Sequence, residues 1–385
     1  MNGLRSTIKN MTWDKEHILL RAHVAVAHVG SSMLFLYAPI LIAMNYQSPL
    51  MGIYWLLVVH IACLLGRFII WVGRFNVTQA IGAMGLLMRA SGLTLPLLGP
   101  EWIWPGGIAA GLGSSLFFGC SSRMVYAHAS SQAGKLMAGN EFAYALGSLT
   151  SALIVAANLI SPGANALIAG SAMSVLAALL LMIVPMADQD EPRDARLKIQ
   201  RAPVPMRVFL ANHSMANEIV ILAPLIVASG SKSGWLAIAI SLIALIMSPI
   251  MGKIYDARHV YALLGLGTLS VAAWIVLYLT TQLEIFALPL VVAGALVLAK
   301  VSQTMLDQWR KSASASLCTE RAGEVVATLH MSHSLGATLI VALSCGVAYL
   351  HGGSMPEWIM LVAPVANAAM VALLYGYEKQ RVIFT

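Results

Sequence analysis

His17, Arg21, His28 and Ser32 fall within about 60° of one another on a helical wheel turning about 100° per residue, so a single helix would carry them as one polar stripe. Three further groups share that character. His213, Ser214, Asn217 and Glu218 stand together, with Glu218 near the middle of an apolar stretch. Lys300, Gln303, Thr304 and Asp307 place a cation and an acid seven residues apart, and so on one helical face. His330, His333 and Ser334 form the last group, and Glu141 with Tyr144 has the matching one-turn separation in an earlier stretch. Chemically these are proton carriers and charge partners. Glu218 is the first candidate to take and release a proton, Lys300 lies deep enough to attract an anion, and the histidine pair suits a proton relay. Fixed pairs are the alternative: Glu218 with Arg21, Arg89 or Lys300, and Asp307 with Arg310 or Lys311. Histidines at i and i+3 also fit half of a metal site, but neither an acidic third ligand nor an H-E-x-x-H pattern accompanies them. No metal and no cofactor is therefore assigned. No nucleophile stands with a base in a pattern that would make an enzyme, and no catalytic residue is assigned.

The elements that must position these groups follow from the solvent. Over 385 residues the chain is 59% hydrophobic and 10% charged, which leaves too little polar surface to wrap a water-soluble core of that size. It belongs in a lipid bilayer. A spanning helix takes about 20 apolar residues, so there is room for roughly twelve spans and short connectors. Ionisable groups at mid-span are costly there and face a wet cavity or a partner. The first basic residues, Arg5, Lys9 and Lys15, precede an apolar segment that is long, interrupted by Arg21 and without a small-residue cleavage pattern, so it reads as retained. Cys63, Cys120, Cys318 and Cys345 are scattered without paired spacing and point to neither disulfides nor a thiolate metal site. The net charge of +7 fits cytoplasmic loops facing anionic lipid rather than nucleic acid.

Hydropathy punctuated by Gly, Pro and charge gives candidate spans near 17–44, 50–72, 77–98, 102–125, 138–160, 164–186, 206–229, 233–252, 259–280, 283–307, 324–350 and 356–377. The longest polar connector runs from Met186 to Pro205, with mixed charge and prolines. It divides the chain into 1–185, a linker 186–205, and 206–385. With the amino terminus inside, the cations in and beside the connectors, among them Arg67, Arg74, Arg123, Lys253 and Arg258, fall on the cytoplasmic side and only Lys232 falls outside. Both termini are then cytoplasmic. Span four is rich in glycine (Gly106, Gly107, Gly111, Gly113 and Gly119), which suits close helix packing. Trp102, Trp104, Trp235 and Trp358 fall at outer interfaces as belt anchors.

Two stretches recur. GRFIIWVGR from Gly66 is matched 186 residues later by GKIYDARH from Gly252, and AGKLMAGNEFAYALGSL from Ala133 by AGEVVATLHMSHSLGAT from Ala322 at an offset of 189. The second pair shares Ala133/Ala322, Gly134/Gly323, Ala138/Ala327, Leu146/Leu335 and Gly147/Gly336. A nearly constant period is what two six-helix halves related by an axis along the membrane normal would leave. On these loops the chain resembles the major facilitator superfamily. That family's loop between spans two and three carries Gly, three residues, Asp, a basic residue, any residue, Gly, Arg and a further basic residue. Gly66, Gly73 and Arg74 match it, while Ile70 holds the acid position and Phe75 the last basic one; the second copy keeps Gly252 and Asp256, with Arg258 close by.

The resemblance implies an all-α membrane protein of twelve transmembrane helices in two pseudo-symmetric six-helix bundles. It implies a secondary active transporter working by alternating access, its cavity enclosed by spans one, four, seven and ten, with Gly66, Gly73, Arg74, Gly252 and Asp256 in the gating loops. Arg21, His28, Glu141, Glu218, Lys300, His330 and His333 are the candidate substrate and proton pathway. Protons are the expected coupling ion. The expected cargo is a small anionic or metal-chelating organic solute, such as a carboxylate metabolite or siderophore, with export ahead of uptake and a bacterial inner membrane as the setting. The protein is expected to act as a monomer without nucleic acid. Ser148 after Gly147 replaces the Gly-Pro pair of drug/proton antiporters, so a multidrug exporter is the alternative, ahead of an intramembrane enzyme or a transporter-like receptor.

Overall fold

The computed structural model describes residues 15–73, 77–127, 133–158, 164–184, 204–213, 233–257, 259–282, 289–317, 322–353 and 356–384, and the regular structure among them is helical throughout. α1 (Lys15–Ser32) passes through a π turn at Met33–Tyr37 into α2 (Ala38–Asn45). In the widened turn the amide of Ala38 reaches back five residues to the carbonyl of Met33, which leaves the carbonyl of Leu34 without its α-helical donor, and the next residue, Pro39, has no N–H to give in its place. The indole of Trp55 donates to that carbonyl at 3.3 Å. α3 (Pro49–Gly73), α4 (Gln79–Thr94), α5 (Ile103–Ala127), α6 (Ala133–Asn158) and α7 (Ala164–Ile183) complete the first set. The second set is α8 (Met206–Asn212), α9 (Ser233–Asp256), α10 (Val260–Gln282), α11 (Pro289–Ala315), α12 (Ala322–Leu350) and α13 (Val362–Phe384). Among the described residues, eight helical stretches are long and apolar enough to cross a membrane. With the composition, they make the chain an integral membrane protein.

Side-chain ties reveal which helix ends meet. Gln79 at the start of α4 donates to the carbonyls of Leu181 and Val184 beyond α7, and Arg207 at the start of α8 donates to the carbonyl of Gly376 near the end of α13. Arg381 reaches the hydroxyls of Tyr255 and Ser316, at the ends of α9 and α11. All of these lie at the end of the molecule where the 185–203 segment joins the two sets, called here the linker end. Within the first set α1 packs on α6 and α7, and α4 and α3 on α5; within the second, α10 packs on α11 and α13, and α9 on α11. Across the sets α6 meets α9 and α11, and α3 meets α12. The apolar core follows both sets: one cluster near the linker end joins Leu20, Phe117 and Met137 to Tyr255, Trp309 and Leu329, and a second toward the far end joins Leu34 and Trp55 to Trp274 and Ile340.

The glycines of α5 pack as their spacing predicts. Gly111 abuts the backbone of Val59 on α3, and Gly113 that of Gly85 on α4. Trp102, Trp104 and Trp358 are exposed at the far end, as belt anchors would be, while the side chain of Trp235 lies outside the described residues. Cys63, Cys120 and Cys345 are buried thiols that form no disulfide.

Candidate functional site

The site is a polar seam between the two sets of helices, built from the linker end inward. At its entrance the amide of Gly134 donates to the carboxylate of Asp256 at 2.8 Å. This amide is among the first of α6, where no intrahelical acceptor exists, and an acid is favoured at a helix amino terminus by the aligned peptide dipoles. The approach requires two glycines. A β-carbon on Gly134 or on Gly252 would run into the carbonyl of the other.

One to two turns deeper the seam is ionic. The ammonium of Lys311 on α11 lies 2.9 Å from Glu141 on α6 and 2.9 Å from Asp307 on its own helix. Arg310 holds Asp307 from the other side and donates to the side-chain oxygen of Asn212 on α8. Asn212 in turn donates to Ser314 at 3.0 Å. Carboxylates and cations alternate through this buried cluster, which offsets the cost of taking each charge out of water. Tyr144, one turn above Glu141, places its ring centroid 5.0 Å from the Lys311 ammonium and 4.6 Å from the ring of His28 on α1.

Above Tyr144 the seam carries hydroxyls and two nitrogen bases. His28 Nε2 lies 3.0 Å from Ser148, and Ser32 lies 3.4 Å from the same hydroxyl. His28 Nδ1 is buried without a hydrogen-bond partner. At about 1.5 Å per residue, Glu141 stands about 12 Å inside α6, while Lys300 stands about 22 Å from the linker end of α11, near mid-membrane. Lys300 is buried, and its ammonium has no hydrogen bond or ion pair among the described residues. Lys300, Thr304, Asp307 and Lys311 fall within about 60° on the wheel, so Lys300 continues the face that meets α6 below it.

A second line of ties joins α3 to α12. Arg67 donates to Ser334 at 2.6 Å and to the carbonyl of His330 at 3.2 Å, and Thr338 donates to the carbonyl of His60 at 3.2 Å. Away from the seam, Arg89 is wholly buried within the first set. It donates to Ser174, Ser31 and the carbonyl of Ala27, and its guanidinium lies 5.0 Å from the ring centroid of Phe117. These contacts bind α1, α4, α5 and α7 together, so Arg89 pins the fold and does not reach the seam.

The backbone arrangement matches transporters of known structure. It superposes on a bacterial homologue of the iron transporter ferroportin in an outward-facing state with a TM-score of 0.69, at 13% identity over 95% of this chain and 99% of that one. The human organic anion transporter MFSD10 gives 0.66 at 14% identity over 93% and 98%. The major facilitator superfamily proton:xylose symporter XylE gives 0.65 at 14% identity over 94% and 93%. The chain has the major facilitator superfamily fold. No protein-family model matches the sequence, and no curated protein matches it.

Within that facilitator fold the sequence candidates separate into groups. Arg21, His28 and Glu141 come together along the α1–α6 contact, Arg21 lying against Gly139. Lys300 lies across the seam on α11, and His330 and His333 lie on α12, where the carbonyl of His330 takes the Arg67 bond. Ser214, Asn217, Glu218, Arg74 and Arg258 lie outside the described residues, as does the side chain of His17. Asp307 pairs with both Arg310 and Lys311. The second repeat has a structural counterpart: Gly147 admits the α1 backbone at Ala25, and Gly336 admits the α8 backbone at His213. The first repeat differs in its faces, because Gly66 packs on Ser115 of α5 within its own set whereas Gly252 packs on Ala138 and Gly134 across the seam. Gly73 closes α3. Sequence reasoning missed Lys311 as the partner of Glu141, and Asn212 and Arg67 altogether. Lys311 had a signal in its 11-residue spacing from Lys300; Asn212 and Arg67 had none without knowledge of which helix lies opposite.

Proposed function

We propose that the chain is a secondary active transporter, with twelve spans in two bundles (1–185 and 206–385) joined by a cytoplasmic linker, that moves a small anionic organic solute by alternating access. The observation that carries this reading is the character of the seam. The two sets meet at the linker end through exchangeable polar ties, Asp256 to Gly134, Glu141 to Lys311 and Arg67 to Ser334. Interfaces of this kind can exchange partners as packed bodies rock, which a continuous apolar core resists. The crowd of cations at the linker end, Arg67, Arg207, Lys253, Arg310, Lys311 and Arg381, supports a cytoplasmic placement.

The cargo is argued from charge. Among the described residues, the seam acids Glu141 and Asp307 are taken up by Lys311 and Arg310, while Lys300 holds a buried ammonium at mid-depth. A buried cation requires an anion or cavity water. Lys300 with His28 therefore supports a carboxylate metabolite or an anionic chelator as cargo, with Arg21, His330 and His333 along the path and Glu218 as a further proton carrier. Protons are the proposed coupling ion, export the proposed direction, a bacterial inner membrane the setting and a monomer the working unit.

Flux into proteoliposomes tests the reading, using small di- and tricarboxylates, a hydroxamate chelator and a cationic dye, each with and without a proton gradient. Saturable, gradient-dependent movement of an anion, falling at least about tenfold in Lys300→Met, is the expected result, since truncating one member of a desolvated charge contact costs about 2 kcal/mol or more. Movement of the dye alone would overturn the anion assignment in favour of multidrug export.

A further inference from the structure

We propose that Glu141 is a proton-binding site of the transport cycle, opened and closed by the passage of Lys311 between two carboxylates. The inference rests on the alternating-access reading above. Lys311 is shared: Glu141 and Asp307 both lie 2.9 Å from its ammonium, yet only Asp307 belongs to the same helix. Asp307 also has Arg310, itself held by Asn212 on α8, so both cations that pair with Asp307 travel with the second set. Glu141 stands alone on the first set. Its one ion-pair partner among the described residues is Lys311, across the seam, and Arg310, which also acts on it at longer range, travels with the same second set.

Separation of the two sets at the linker end then has an asymmetric result. Lys311 stays with Asp307 one turn away, and the second set remains neutralised. Glu141 leaves on α6 without a counter-ion, in a helix flanked by apolar packing, where an ionised carboxylate is costly unless it takes a proton from the water entering the seam. On closure Lys311 returns, the carboxyl gives up that proton and the ion pair reforms. The remaining charged or titratable groups facing this position do not replace Lys311. Tyr144 lies on α6 itself, Arg21 lies against Gly139 and His28 against Tyr144 from α1, Asp256 sits at the mouth of the seam near the end of α9 with Lys253 a turn before it, and Tyr255 turns to Ser316 and Arg381 within the second set. His330 and His333 flank the region from α12. The closed state is thus the one that requires ionised Glu141, so falling pH favours opening at the linker end. A single site of this kind changes the open-to-closed ratio by at most about tenfold per pH unit.

The test measures that ratio without any solute. Spin labels at Ile183 and Tyr261, both exposed near the linker end, report the distance between the sets in lipid nanodiscs, in a background with the four native cysteines replaced by Ser. Wild type is expected to shift toward the long distance as pH falls; Glu141→Gln is expected to favour the long distance at every pH with no slope. Glu141→Asp, which keeps a titrating carboxyl, is expected to keep the slope and serves as the folding control. An unchanged slope in Glu141→Gln overturns the proposal while leaving the transporter reading intact. A distance that never changes, at any pH or with any transported solute, overturns the transporter reading itself.

Discussion

On the α6–α9 side of the seam, a carboxylate near the end of one helix, Asp256, accepts an amide at the start of another. On the α3–α12 side the polarity is reversed: a cation, Arg67, donates to a hydroxyl and to a helix carbonyl at least a turn inside α12. Both sides carry a stretch that resembles the same loop pattern, yet the α3 copy has Ile70 where that pattern has an acid and makes its tie from Arg67, a position that the pattern leaves open. The difference is energetic as well as chemical. Asp256 satisfies an amide that α6 cannot satisfy itself and sits where the helix dipole attracts an anion. Arg67 reaches a carbonyl that the helical ladder already engages and gains mainly through Ser334. The α6–α9 side should therefore be the stronger latch.

Asp256→Ala breaks the comparison at its strong side. Loss of a capping carboxylate and of a cross-seam hydrogen bond together costs about 1–2 kcal/mol, so the linker-end-open population should rise about tenfold. The spin-label distance used for Glu141 reads this directly. An effect smaller than that of any Arg67 variant would invert the ranking argued here.

Arg67→Met comes next. It keeps most of the stem and removes the guanidinium, whose Nη1 makes both bonds and whose central carbon lies 5.9 Å from the ring centroid of Phe118, at a cost of about 1 kcal/mol and a rise in the open population of about fivefold. Arg67→Lys sharpens the point, because both bonds leave one guanidinium nitrogen, Nη1, and a lysine keeps the charge on a shorter side chain without the planar fork that aims that nitrogen. Recovery of the full wild-type distribution by Lys would mean that charge alone carries the tie.

Why the sequence exposed one side and hid the other is a matter of helix faces. Composition and the spacing of apolar runs point to membrane-spanning helices, and the Gly147/Gly336 match has a counterpart in the structure, since Gly147 admits the backbone of α1 and Gly336 the backbone at the end of α8. Asp256 was legible because an acid after a transmembrane run is rare and matched a known pattern. Arg67 was not, because a basic residue at the end of a span is what lipid headgroups also favour. Glu141 was visible as a buried acid, whereas its partner Lys311 lay near a helix end and read as interfacial. Pairing across the seam depends on tertiary placement, which no local spacing contains.

The wheel of α3 turns the comparison into a final test. His60 and Arg67 both tie to α12, and counted from them Trp71 falls on the same face within about 60°, while Ile70 turns toward Gly119 of α5. The family pattern would restore the lost acid at position 70. The wheel instead puts residue 71, not 70, on the face of α3 that carries the ties to α12. Trp71→Asp should add a dipole-assisted contact worth about 0.3–1 kcal/mol and lower the open population about two- to fivefold. Ile70→Asp should leave that population unchanged and lower the melting temperature instead, because it turns a carboxylate toward apolar α5 packing. If Ile70→Asp closes the linker end and Trp71→Asp does not, the two loops are facially equivalent after all, and Arg67 is an addition to the inherited latch instead of its replacement.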